Sequence, residues 1–142
     1  MKENKLSLQI DALKEITTIG IGNAATAISQ MLNKKIEIEV PEVKIVPINK
    51  IADSLLNPEK LVVTVFFEIS NRTINGRMFL IFSIDEAIKL TEILLNKKIR
   101  KESFPDAMTT SVLKEIGNIA LGRYLMAISE FLNVTFHFSV PK

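Results

Sequence analysis

The chain has 142 residues, 47% hydrophobic and 24% charged, with a formal net charge of +2. That suits one ordinary globular domain able to bury a core, and the near-neutral charge argues against a nucleic-acid or anionic-membrane surface. Cysteine is absent, which excludes disulfides and thiolate metal sites, and no signal-type leader or membrane-length apolar run is present, so a cytoplasmic protein is expected.

In chain order, Leu8, Ile10, Leu13, Ile16, Ile19, Ala27, Ile28 and Leu32 recur at helical spacing and predict a first long helix over about 6–33. Residues 35–48 alternate through Ile36, Ile38, Val40, Val43, Ile45 and Val46 and read as a strand, with Pro41 as a bulge or break. Two β-branched and aromatic runs, 61–69 and 73–82, flank Ser70-Asn71-Arg72 and predict an antiparallel pair. Ser83 and Glu86 form a capping box that opens a short helix to about Asn96. The densest cationic run, Lys97-Lys98-Ile99-Arg100-Lys101, falls where that helix ends and suits the helix dipole rather than nucleic acid. Ser103, Pro105 and Asp106 open a second long helix to about Asn133, and 134–140 begins a strand.

The second long helix repeats the first. Of the 29 positions from Leu13 to Pro41, 13 are identical to the residue one hundred positions later, without a gap, from Leu13-Lys14-Glu15-Ile16 against Leu113-Lys114-Glu115-Ile116 to Val40-Pro41 against Val140-Pro141. Such a repeat implies two copies of one structural unit. A single domain over 1–142 is expected, with unit one at about 7–100 and unit two at about 101–142. Unit two has only Lys142 after Pro141 and so reads as truncated, leaving its sheet half-built. The fold expected is α+β, with two long pseudo-equivalent helices on one face of an antiparallel sheet.

On a helical wheel, Ser111, Glu115 and Asn118 share one stripe, continued by Gly122, opposite the apolar positions Leu113, Ile116, Ala120, Tyr124, Ala127 and Phe131. Asp11, Glu15, Thr18 and Gly22 repeat the layout on the first helix. A polar stripe on an amphipathic helix is ordinarily just solvated. Here the whole frame recurs, and it includes a glycine that costs about 1 kcal/mol against Ala within a helix. The copies differ where Asn118 is answered by Thr18.

These residues resemble the CheC/CheX/FliY phosphatases of chemotaxis. That family's motif is Asp or Ser, three residues, Glu, two residues, Asn, then twenty-two residues to Pro, and Ser111, Glu115, Asn118 and Pro141 fit every spacing. Asp11, Glu15 and Pro41 fit it in the first copy, with Thr18 in place of Asn. Two tandem motifs point to CheC. The resemblance implies an aspartyl-phosphate phosphatase acting on phosphorylated CheY, in which Asn118 orients the attacking water and Glu115 engages the regulator's lysine. Ser111, Gly122 and Pro141 would support that site, and the first site would be degenerate. It also implies a Mg²⁺ held by the regulator and no cofactor of the chain's own. A partner CheD would contact the tail after the second Pro, which is missing here. The alternative is a non-catalytic module that binds the regulator or belongs to a flagellar switch.

Other features read plainly. Gly20-Ile21-Gly22-Asn23 lacks the preceding strand of a phosphate loop and reads as helix packing; His137 reads as a strand-edge residue. Self-association is expected, because one set of strands must serve two apolar helices.

Overall fold

The computed structural model describes residues 1–40, 42–55 and 59–142. Helix α1 runs Lys2–Leu32, strands β1 and β2 run Val62–Ser70 and Asn75–Ser83, α2 runs Ile84–Leu95, α3 runs Ala107–Leu132, and β3 is His137–Phe138. All three helices end on an asparagine in the left-handed region: Asn33, Asn96 and Asn133, with φ of 51°, 49° and 51°. Asparagine tolerates that conformation better than any residue but glycine, so each helix stops at a residue suited to end it. The starts of α2 and α3 are capped too. Ser83 exchanges hydrogen bonds with Glu86, and Asp106 with Thr109.

The sheet is antiparallel throughout, in the order β2-β1-β3. β1 and β2 pair over their whole length, from Val62 opposite Ser83 to Ser70 opposite Asn75. The inner face of β1 carries Val65 and Phe67, both buried. Its other edge takes up the end of the chain. Ser139 N–H donates to the Glu68 carbonyl at 2.9 Å, and Lys142 exchanges two 3.0 Å bonds with Phe66. Three residues on the terminal side thus span two on β1, so Val140 and Pro141 sit in a bulge. A proline fits there because it has no N–H to offer the ladder.

The two long helices pack together, with the sheet and α2 against α3. Thr17 and Gly20 meet Tyr124, whereas Ile28 shares a core cluster with Leu113 and Ile116, so α1 and α3 run antiparallel. Val65 and Ala87 complete that cluster. The α+β architecture with two long equivalent helices is therefore present.

Two sequence expectations are corrected. Among the described residues of 35–48 no strand forms; Pro41 itself lies outside them. The edge of β1 away from β2 is taken by the equivalent segment of the second repeat, so residues 36–40 do not pair there. Instead the Ser29 hydroxyl ties down Ile36 N–H at 2.8 Å. Second, α3 is buried on two sides rather than one: Gly117, Leu121 and Leu125 are buried, while Phe131 is 57% exposed. A helix wedged between a sheet and another helix has no single apolar face.

Candidate functional site

The site is built on α3. Ser111, Glu115 and Asn118 are all exposed and spaced by four and three residues, so their side chains rise from one side of the helix. The residues between them point inward: Leu113, Ile116 and Gly117 are buried. Among the described residues, Glu115 has no ion pair and the Asn118 carboxamide has no hydrogen-bonded partner. A carboxylate and a carboxamide are thus held side by side on a rigid support with their polar atoms turned to solvent.

Gly117 fixes how deep that support lies. A Cβ built on it would collide with the Val65 side chain. Only glycine lets α3 settle on β1 at this height, and Asn118 is the next residue. β1 also carries the far end of the motif, since Phe66, adjacent to Val65, bonds the backbone of Lys142 just after Pro141. Asn118 and the half-buried Pro141 are therefore both referenced to two consecutive residues of one strand. Gly117 and Val65 were not singled out from the sequence. The available signal was a second mid-helix glycine that the repeat answers with Thr17.

Gly122 is different. A Cβ built there, or on Gly22, meets nothing within 4 Å, whereas one on Gly20 would come within 2.7 Å of the Tyr124 ring. Packing within the chain accounts for Gly20 and Gly117 and leaves Gly22 and Gly122 unaccounted for.

The equivalent stripe on α1 is also exposed at Asp11, Glu15 and Thr18. Thr18 does not offer its hydroxyl to solvent as Asn118 offers its carboxamide. Its Oγ1 donates to the Lys14 carbonyl at 2.7 Å, one turn back in the same helix. His137 stands exposed in the edge strand β3, and Gly20 to Asn23 are helical. Among the described residues no cluster of three or more His, Cys, Asp or Glu side chains is placed to hold a metal ion, and no helix is long and apolar enough to cross a membrane.

Comparison with known proteins matches residues 8–45 and 108–142, the two repeat segments, to the CheC-like family. Over 136 residues the chain is 32% identical to the CheY-P phosphatase CheC of Bacillus subtilis (strain 168), a match covering 94% of this chain and 65% of that protein. A shorter stretch of 51 residues is 41% identical to the flagellar motor switch phosphatase FliY of the same organism, covering 36% of this chain and 14% of that one. Among solved structures, Thermotoga maritima FliY superposes with a TM-score of 0.72 at 23% identity, over 94% of this chain and 66% of the other. The chemotaxis protein CheX from Desulfovibrio desulfuricans does so with a TM-score of 0.57 at 19% identity, over 90% and 75%. The chain spans just under two thirds of the length of CheC and of the FliY structure.

Proposed function

We propose that this chain, which belongs to the CheC-like family, hydrolyses the phospho-aspartate of a CheY-type receiver domain with the α3 stripe. The observation that carries this reading is the pair Glu115 and Asn118, exposed, without partners among the described residues, and raised on a helix whose depth Gly117 sets against β1. The substrate class comes from the similarity to CheC.

An acyl phosphate is already reactive, so the protein need only place a water in line with the phosphorus. Asn118 is suited to that task. Its carboxamide oxygen accepts from the water while its nitrogen donates to a phosphoryl oxygen. The water oxygen then bonds to phosphorus, the bond to the aspartyl oxygen breaks, and the carboxylate leaves with that electron pair as the water's proton passes to solvent or phosphate. Glu115 takes the receiver's lysine, and Ser111 borders the contact. Gly122 keeps the adjoining helix surface low, and Pro141 lies in the bulge before Lys142 rejoins β1. The Mg²⁺ that such a phosphoryl group needs is carried by the receiver domain as part of the substrate.

The test is phosphate release from CheY phosphorylated with a small-molecule phosphodonor, with and without the protein. Wild type accelerates release, and Asn118→Ala loses the acceleration while melting at the wild-type temperature. An Asn118→Ala protein that works as well as wild type overturns the assignment.

A further inference from the structure

We propose that Lys97 and Arg100, in the connector between α2 and α3, form a cationic rim that draws the phosphorylated face of the receiver domain onto the α3 stripe. The inference rests on the reading of that stripe given above. The dipole of α2 does not account for these cations. α2 ends at Leu95, its last turn holds no basic residue, and the run from Lys97 to Lys101 lies past the cap at Asn96. Two of its members are engaged within the chain, Lys98 with Glu92 at 3.5 Å and Lys101 with Asp85 at 2.9 Å. Lys97 and Arg100 are exposed and have no ion pair among the described residues.

Their place in the fold ties them to the stripe. Lys97, Lys98 and Arg100 line one groove together with Met108, in the first turn of α3. Met108 is 53% exposed and precedes Ser111 by three residues and Glu115 by seven, so the three rise from one side of the helix. The groove therefore opens at the start of the stripe. Asp106 also lines it, but its carboxylate accepts from Thr109 N–H at 2.8 Å to cap α3. The connector's other acid, Glu102, stands outside the groove. The stripe has need of such a neighbour. Its own charge is the Glu115 carboxylate, whereas the face it must meet carries a phosphoryl dianion beside the carboxylates that hold Mg²⁺. Two cations at the edge of the contact offset that like-charge approach and steer the encounter.

The experiment measures the association rate of CheY, held in its phosphorylated form by beryllofluoride and Mg²⁺, with wild type and with variants first checked for an unchanged melting profile. Lys97→Glu/Arg100→Glu should associate about tenfold more slowly at low salt, and Lys97→Gln/Arg100→Gln should fall between it and wild type. The gap should close as salt approaches about 1 M, where screening reaches only about 3 Å. Lys2→Glu/Lys5→Glu makes the same charge change at the start of α1, which the antiparallel packing places at the far end of α3. It should slow association by no more than about twofold. A Lys97→Glu/Arg100→Glu protein as fast as wild type overturns the proposal, as does a loss that the α1 variant matches or that persists undiminished in high salt. Wild type that fails to bind overturns it too. Because no hydrolysis is involved, the result stands apart from the Asn118→Ala assay. Steered binding without accelerated phosphate release sinks the phosphatase reading and leaves this one, and accelerated release with association indifferent to the connector variants does the reverse.

Discussion

The hydroxyl of Thr18 lies 2.7 Å from the carbonyl oxygen of Lys14, folded back onto the helix that carries it. At the equivalent position on α3 the Asn118 carboxamide projects into solvent. The difference is a matter of reach. A β-branched hydroxyl in a helix finds the carbonyl one turn back, while a carboxamide extends past it.

Thr18→Ala should therefore change phosphatase turnover little, since the group removed is bonded within its own helix. Thr18→Asn restores the extended carboxamide and should raise turnover at saturating substrate, by at most about twofold if both stripes then work alike. Phosphate release from CheY measures both. Equal losses from Thr18→Ala and Asn118→Ala would refute the asymmetry.

The helical glycines should respond oppositely to alanine. Gly117→Ala drives a methyl into Val65 and should cost about 1–3 kcal/mol, the usual range for overpacking. Gly122→Ala meets open space and should stabilise by about 0.5–1 kcal/mol through helix propensity alone. Urea denaturation reads both. Val65→Ala combined with Gly117→Ala should cost less than the two separate losses together.

Stability should decline in acid. The Ser83 amide, and then its hydroxyl, hold the Glu86 carboxyl below its ordinary 4.5. The Thr109 amide, and then its hydroxyl, do the same for Asp106 below 3.8. Depressed carboxylates stabilise fully above their unfolded values and lose that contribution as pH falls through the folded ones. Urea midpoints should thus be level from neutrality to about pH 5 and fall below it. Glu86→Gln should flatten the Glu86 share of that fall, and an unchanged profile would remove this capping box as its source.

The outer face of the sheet should mediate self-association. Phe79 is 50% exposed and Ile81 37%, and Phe79 stands beside Phe66 with ring centroids 5.6 Å apart. Among the described residues β2 also presents an unpaired edge. Sedimentation at micromolar concentration should find a species heavier than 15.9 kDa, lightened by Phe79→Lys. A well-behaved wild-type monomer refutes this.

Much of the fold was legible because its signals are local. Periodicity located the helices, and Ser83 with Glu86 marked the start of α2. The 35–48 segment misled because alternation records which residues could line a strand, not whether a partner edge is free. The edge of β1 away from β2 pairs with His137 and Phe138 of the second repeat, which residues 35–48 alone cannot reveal. The polar stripe was legible through its repetition. Its seating was not, because Gly117 and Val65 are 52 positions apart and neither residue is unusual alone.

The pairing of Thr17 with Tyr124 has a further consequence. Two related helices offer the β1–β2 hairpin two candidate seats, and it takes the one on α3. One of the positions at which the copies differ bears directly on that choice. Gly117 leaves room for Val65, while Thr17 fills the same place on α1 with a β-branched side chain whose hydroxyl lies 2.9 Å from the Tyr124 hydroxyl. Seating the hairpin on α1 would crush Val65 against that side chain and strand the tyrosine. Divergence between the repeats thus favours one seat for the hairpin over the other.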